Sequence, residues 1–288
     1  MNAAGQAALA VPPARVRCTI LGCGTSIGVP VVGCTCEVCR SDDPRNQRMR
    51  VSVYVEMWHA GRSAAAPADQ AVLVDTSPDL RQQLLRFRTW AIDEVFYTHT
   101  HADHIFGLDD LRPIHFFHKS SIVIRGRHDH LQTVQAIYPY AFRDARDALG
   151  PVPQLEAHAL QAGEFIAGGF RLAAVEIPHG PRETVLGYRF GPMAYLTDVS
   201  EIPAAAQDQL QGVQLVVIGA LRARPHTKHF SVRQAVGAAR ELGAIHVVLT
   251  HMGHELDYTA VLDQLQAEPL RAEPAYDGMV VTAGTADG

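Results

Sequence analysis

The stretch EVFYTHTHADH, residues 94–104, narrows the folds open to this chain more than any other. An apolar run of strand length gives way at once to four potential metal-binding side chains: His99, His101, Asp103 and His104. In an extended chain, residues two apart face the same side, roughly 6.5–7 Å apart. His99 and His101 therefore share a face, and Asp103 and His104 follow as the chain turns toward a helix. Neutral imidazole and carboxylate are good ligands for a borderline divalent cation. A lone histidine in a polar loop carries no such meaning. Four donors directly behind a buried strand call for a fold that opens strand ends onto a common pocket.

Other strands end the same way. AAVEIPHG delivers His179, MAYLTD delivers Asp198, and AIHVVLTHMGH delivers His251 and His254. VVIGALRARPHTKHF delivers His226 and His229. Polar residues just past apolar strand ends are where open α/β sheets build their sites. Helical patterns intervene: SPDLRQQLLRF, with Ser77 as N-cap and Pro78 in the first turn, then HDHLQTVQAIY, SVRQAVGAARELG with Gly243 as C-cap, and DYTAVLDQLQ. The mixture predicts an α/β fold with apolar sheets covered by helices. Two sheets stacked face to face fit it, and a doubly wound sheet is the competing arrangement. Residues 1–14 read as a disordered Ala-rich tail and 15–288 as one domain. Asp75, ending AVLVD, suits either an acceptor that orients a ligand histidine or a partner for the next helix N-terminus. His246 lies inside a strand pattern and reads as a satisfied core histidine. His115, His118, His128, His130 and His158 fall outside this placement.

The 288 residues are 47% hydrophobic and 19% charged, enough for one large globular domain or two small ones. The net charge of -5, without a basic stripe, argues against general nucleic-acid binding. No apolar stretch reaches the ~18 residues of a membrane span, and the N-terminus lacks a positive leader region. A cytoplasmic location without a membrane partner is expected. In a reducing compartment, clustered thiols serve metals or redox chemistry rather than disulfides. GCTCEVC places Cys34, Cys36 and Cys39 on one tight loop. Tetrahedral zinc wants a fourth ligand. His254, three residues past His251, is the expected one if a turn points it away from the histidine cluster. Cys18 reads as core and Cys23 as a small packed residue. Arg45, Arg48 and Arg50 of DPRNQRMR suit either phosphate binding or a solvated basic run.

THTHADH resembles the HxHxDH signature of the metallo-β-lactamase superfamily, with the later His, Asp and His in that family's order, from about Arg17 to Val281. The resemblance implies an α/β (α+β) four-layer αβ/βα sandwich with a binuclear metal site at one sheet edge. It implies that His99, His101 and His179 hold one ion, that Asp103, His104 and His251 hold the other, and that Asp198 bridges both. GCGTSIGVPVVGCTCEVC, LTD, LTHMGH and YDGM are together similar to its phosphoribosyl cyclic phosphodiesterase subgroup. That similarity implies a structural zinc on Cys34, Cys36, Cys39 and His254, and a catalytic histidine after the bridging aspartate. His229 fits best and His226 competes. The expected activity is metal-dependent hydrolysis of a small cyclic or diester phosphate by water bridged between two zinc or manganese ions. Asp103 and His229 are the candidate catalytic residues. A tRNA 3′-end nuclease, a thioesterase, a lactonase, a quinone-cofactor biosynthesis protein and a non-catalytic zinc protein are the alternatives. The resemblance also suggests a homodimer.

Overall fold

Alternation along the Val- and Ile-rich runs decides which residues face which layer. In the computed structural model, which describes residues 10–63, 65–118, 121–143 and 152–285, these runs form two seven-stranded sheets. The first contains β1 (Arg15–Gly22), β2 (Ser52–Trp58), β3 (Gln70–Val74), β4 (Glu94–Phe96), β5 (Ile122–Arg127), β6 (Leu155–Leu160) and β14 (Val280–Gly284), in the order β14-β1-β2-β3-β4-β5-β6. The second contains β7 (Gly163–Ala167), β8 (Phe170–Pro178), β9 (Thr184–Phe190), β10 (Met193–Leu196), β11 (Leu215–Gly219), β12 (His246–Thr250) and β13 (Arg271–Pro274), in the order β13-β12-β11-β10-β9-β8-β7.

Val53, Val55, Val72 and Val74 pack inward against Val175, Tyr188 and Leu196 of the other sheet. Their neighbours Tyr54, Ala71 and Leu73 face the opposite way, against Leu80, Leu84, Ile105 and Leu131 of the outer helices. The period of two thus divides each strand between two cores, which is why the runs look continuously apolar. The inner core continues under the second sheet to Val232 and Val236 of the Val232–Glu241 helix and Val261 of the Tyr258–Leu265 helix. The result is helix, sheet, sheet, helix: the stacked arrangement, not the doubly wound one.

Three local expectations change. Residues 1–9 of the expected tail lie outside the described residues, but the chain is already engaged at Ala10. Ala10 is 2% exposed, Val11 O accepts from Arg171 N at 3.0 Å, and Ala14 N donates to Trp58 O at 3.0 Å. The Leu80–Phe87 helix has Asp79 at its N-cap position, and Ser77 caps the turn before it, its Oγ accepting from Asp79 N–H at 3.2 Å. The Asp79 side chain makes no cap because Arg50 takes its carboxylate at 2.6 and 2.8 Å. Arg45 and Arg50 are paired with Asp43 and Asp79, while Arg48 is buried, so none of the three is a free phosphate ligand. The Val232–Glu241 helix is closed by a Ser231–Gln234 capping box and followed by Gly243 at φ 74°. No helix among the described residues is long and apolar enough to cross a membrane.

Candidate metal centres

Strands β3 and β4 are parallel, and β8, β10 and β12 share one direction. Their carboxyl ends meet along one rim, where the sheets are tied by Leu186 N–H to Thr98 O (2.9 Å) and Met252 N–H to Cys23 O (2.8 Å). The chain leaves three of these strands through left-handed turns at Asp75 (φ 63°), Asp198 (φ 54°) and His251 (φ 54°). That conformation costs an L-residue roughly 1–2 kcal/mol, and short polar side chains tolerate it best. Each turn brings a donor side chain to the rim.

The seven expected ligands converge there. His99, His101 and His179 form one donor group and Asp103, His104 and His251 a second. Asp198 reaches both: its Oδ2 lies 3.3 Å from His104 Nε2, and its Oδ1 lies 3.4 Å from His251 Nε2 and 3.9 Å from His179 Nε2. Six of the seven are buried, and His101 is half-buried.

Beneath the ligands, Asp75 accepts from Thr98 N, Thr98 Oγ1 and His104 Nδ1 at 2.8, 2.8 and 2.7 Å. Of its two sequence readings, the structure therefore favours the one in which it orients a ligand histidine. Thr98 Oγ1 also lies 3.0 Å from His99 Nδ1. These contacts take up the Nδ1 side of both rings and leave the Nε2 lone pairs for the cluster. Burial alone would raise the carboxyls of Asp103 and Asp198. Against it, His104 and His251 hold both well below the usual carboxylate range. Burial would lower His104, but Asp75, Asp103 and Asp198 hold it well above the ordinary imidazole value. Burial, reinforced by His104, holds His99 well below that value.

The donor set fits divalent cations. His104 Nε2 and both ring nitrogens of His251 are buried without a hydrogen-bond partner, a cost of roughly 1–3 kcal/mol per group if nothing else meets them. His104 Nε2 sits 3.2 Å from Asp103 Oδ2, and His251 Nε2 sits 3.6 Å from the same oxygen. Two ligands at ~2.1 Å from a tetrahedral ion lie ~3.4 Å apart, so these contacts have the spacing of ligands around a shared cation.

The thiol loop shows the same signature. Cys34, Cys36 and Cys39 Sγ lie 3.3, 3.5 and 3.5 Å from His254 Nδ1. One ring nitrogen cannot hydrogen-bond to three sulfurs at once, whereas a tetrahedral zinc places S and N ligands ~3.6 Å apart. Buried Arg48 (2% exposed) braces this site. It donates to Gly253 O at 3.0 Å and Leu256 O at 2.6 Å, either side of His254, and to Asn46 Oδ1 at 2.9 Å near the thiol loop.

His229 stands against the ligands. Its Nδ1 is 3.6 Å from Asp198 Oδ1, and its ring stacks 5.0 Å from that of His251. Burial, then His251, push its imidazole down to about 3. His226 instead accepts from Lys228 N–H in its own loop at 3.2 Å. A depression of about 240 Å³ adjoins His99 and His101, with Arg127, His130 and Arg182 in its wall. His130, Thr98 and Glu183 thus stand at the rim beside the seven expected ligands. Thr98 adjoins the first ligand in sequence, a signal that was available. His130 and Glu183 reach the rim only through tertiary structure. Cys23, expected merely to pack, also anchors the chain: its backbone N–H donates to Asp277 Oδ1 at 3.0 Å. His246 pairs with Glu273 at 2.6 Å.

Comparison with known proteins agrees with this geometry. The model of the beta-lactamase superfamily domain matches residues 70–252. An octanoyltransferase of Porphyromonas gingivalis is 34% identical over 266 residues, which are 92% of this chain and 51% of the relative. The chain thus spans about half the length of that protein. A ribonuclease Z of Myxococcus xanthus is 25% identical over 289 residues, covering 77% of this chain and 91% of the relative. A crystal structure described as a new diphosphatase from the PhnP family is 35% identical, with a TM-score of 0.80, covering 93% of this chain and 97% of the other. With its fold and family match, the chain belongs to the beta-lactamase superfamily, within its PhnP subgroup.

Proposed function

We propose that this chain is a metal-dependent phosphodiesterase acting on a small cyclic or diester phosphate. The observation that carries the reading is the convergence of seven donors into two groups, with Asp198 within reach of both. His99, His101 and His179 would hold one divalent ion, zinc or manganese, and Asp103, His104 and His251 the other. Cys34, Cys36, Cys39 and His254 would hold a structural zinc. Two such ions supply Lewis acidity toward a phosphoryl oxygen and a nucleophile from water near neutral pH.

The chain's own residues do the rest. Asp103, kept ionised by His104 and His251, accepts a hydrogen bond from the attacking water and orients it. His229 has Nδ1 turned toward Asp198, which leaves Nε2 for the leaving group. A neutral imidazole is a poor acid, but an anionic phosphoryl group beside it opposes the burial that keeps it neutral. His229 then protonates the departing alkoxide. Its contact with the ligand cluster supports it over His226. The adjoining depression is lined by Arg127 and Arg182 but also by Asp129 and Glu183, and Arg127 is paired with Asp129 and Glu176, so attraction for a small anion would come from the ions and not from the wall.

The diphosphatase relative supports diphosphates as a second substrate class, with the same attack on phosphorus. A ribonuclease, by name, also cleaves phosphodiester bonds. The test is a metal count with element identification on protein purified without chelator. It is followed by turnover of cyclic nucleotides, ribose cyclic phosphates, bis-aryl phosphates and nucleoside diphosphate esters. Metal-dependent turnover within this panel is expected. A fully loaded enzyme inert to all of it would overturn the proposal.

A further inference from the structure

His101 is the half-exposed member of the cluster, and Glu183, held by Lys228, stands beside it outside the ligand set. Its Nδ1 lies 2.9 Å from His99 Nε2, so Nδ1 is the nitrogen on the cluster side. Its Nε2 points the other way, 3.2 Å from Glu183 Oε1. The second Glu183 oxygen is held by Lys228 Nζ at 2.7 Å. Lys228 serves the next ligand through its backbone, because Lys228 O accepts from His179 Nδ1 at 3.0 Å. The turn is closed by His179 N–H donating to Glu183 O at 2.9 Å. The lysine stem runs so close that a Cβ on Gly180 would come within 2.8 Å of Lys228 Cγ.

We propose that Glu183, clasped by Lys228, is a positioning residue that fixes the orientation and tautomer of His101 in the His99–His101–His179 group. An ionised carboxylate only accepts hydrogen bonds, so it selects the tautomer with the proton on Nε2. That tautomer leaves the Nδ1 lone pair facing His99. Without Glu183 the proton exchanges between the two nitrogens, and the ring, half open to water, turns freely. The main-chain carbonyl of Lys228 does the same for His179. The clasp therefore presets two of the three imidazoles and ties the His179–Glu183 turn to the loop carrying His229. The inference rests on the reading that this triad holds a cation.

The test uses the zinc-loaded full chain and three variants: Glu183→Ala, Glu183→Gln and Lys228→Met. Zinc affinity is measured by chelator competition, and the His101 tautomer by long-range proton–nitrogen correlation in the ¹⁵N-histidine-labelled full chain after its rim ions are removed, because a cation on Nδ1 would by itself fix the proton on Nε2. Outer-shell partners are worth about 10–100-fold in metal affinity, and this exposed one should sit near tenfold. Glu183→Ala should weaken one rim zinc about tenfold, leave the cysteine-bound zinc in place, and give a mixed His101 tautomer. Glu183→Gln, which retains a neutral acceptor, should fall between, and Lys228→Met should resemble it. Unchanged affinity and tautomer in Glu183→Ala would overturn the inference while leaving the function reading intact. Wild-type protein with no ion at the triad would overturn both.

Discussion

Replacing Asp75 by Asn tests the support under the second donor group. Asp75 is fully buried, and its carboxylate accepts three hydrogen bonds, two of them at Oδ2 from Thr98 Oγ1 and His104 Nδ1. Asn keeps the shape and tolerates the left-handed backbone at φ 63°, so the chain path should hold. One acceptor oxygen becomes an NH₂ donor, however, and either orientation fails. Turned toward His104, the amide opposes Nδ1–H, and the ring escapes only by moving its proton to Nε2, the nitrogen the cluster needs. Turned toward Thr98, it leaves a buried backbone N–H unpaired, at about 1–3 kcal/mol. Taking about 2 kcal/mol as the smaller penalty, affinity for the ion at Asp103, His104 and His251 should fall about 30-fold. That lies within the range for lost outer-shell partners. Zinc is titrated against a competing chelator, with the cysteine-bound zinc as internal reference. Rim affinity within threefold of wild type would refute the argument. So would equal loss from both sites, which would report general unfolding.

Three further outcomes follow from buried groups elsewhere. Arg48→Met strands the carbonyls of Gly253 and Leu256 and should cost about 3 kcal/mol of unfolding free energy, read by denaturant melts. A change below about 1 kcal/mol would mean that water replaces the guanidinium. His254→Ala should lower the zinc count by one per chain and expose Cys34, Cys36 and Cys39 to thiol reagents, and an unchanged count sinks the assignment. Burial lifts the Asp277 carboxyl to about 6 while it accepts from Cys23 N and Met49 N. A carboxyl raised above its unfolded value of ~3.9 stabilises fully below that pH and loses the contribution as pH rises through 6, about 3 kcal/mol in all. Asp277→Asn should therefore flatten stability against pH between about 4 and 7, and parallel curves for the two proteins would contradict this.

The sequence located the site better than it located the strands. Apolar runs ahead of the donors and of Asp75 marked β3, β4, β8 and β10 to β12, because residues buried on both faces leave an unbroken apolar signature. Leu155–Leu160 and Gly163–Ala167 went unmarked, since both are edge strands with exposed Glu156 and Glu164 or half-exposed His158. Thr184–Phe190 carries Gly187 at its centre, where a Cβ would come within 2.6 Å of a Leu196 methyl carbon. That close approach serves packing but hides the strand pattern. His99, His179, Asp198 and His251 were legible because each lies just past a strand end, and His101, Asp103 and His104 because they crowd together behind His99. Glu183 and Lys228 were not, because their roles come from two loops meeting in space. Arg48 misled for a related reason: in sequence it belongs to a basic run, and only the fold shows it buried among carbonyls.

The left-handed turns at Asp75, Asp198 and His251 limit how this chain can diversify. At such positions glycine is the least strained residue, yet it brings no donor atom. Branched or bulky replacements are disfavoured by the backbone before any chemistry is weighed. The variants that keep both chain path and donor are few, chiefly exchanges among aspartate, asparagine and histidine. New specificities should therefore arise in the segments around the depression, such as 127–130 and 182–184, where a substitution leaves the rim's conformation alone. A mutational library aimed there would sample substrates, while one aimed at the three turns would mostly remove donors and add backbone strain.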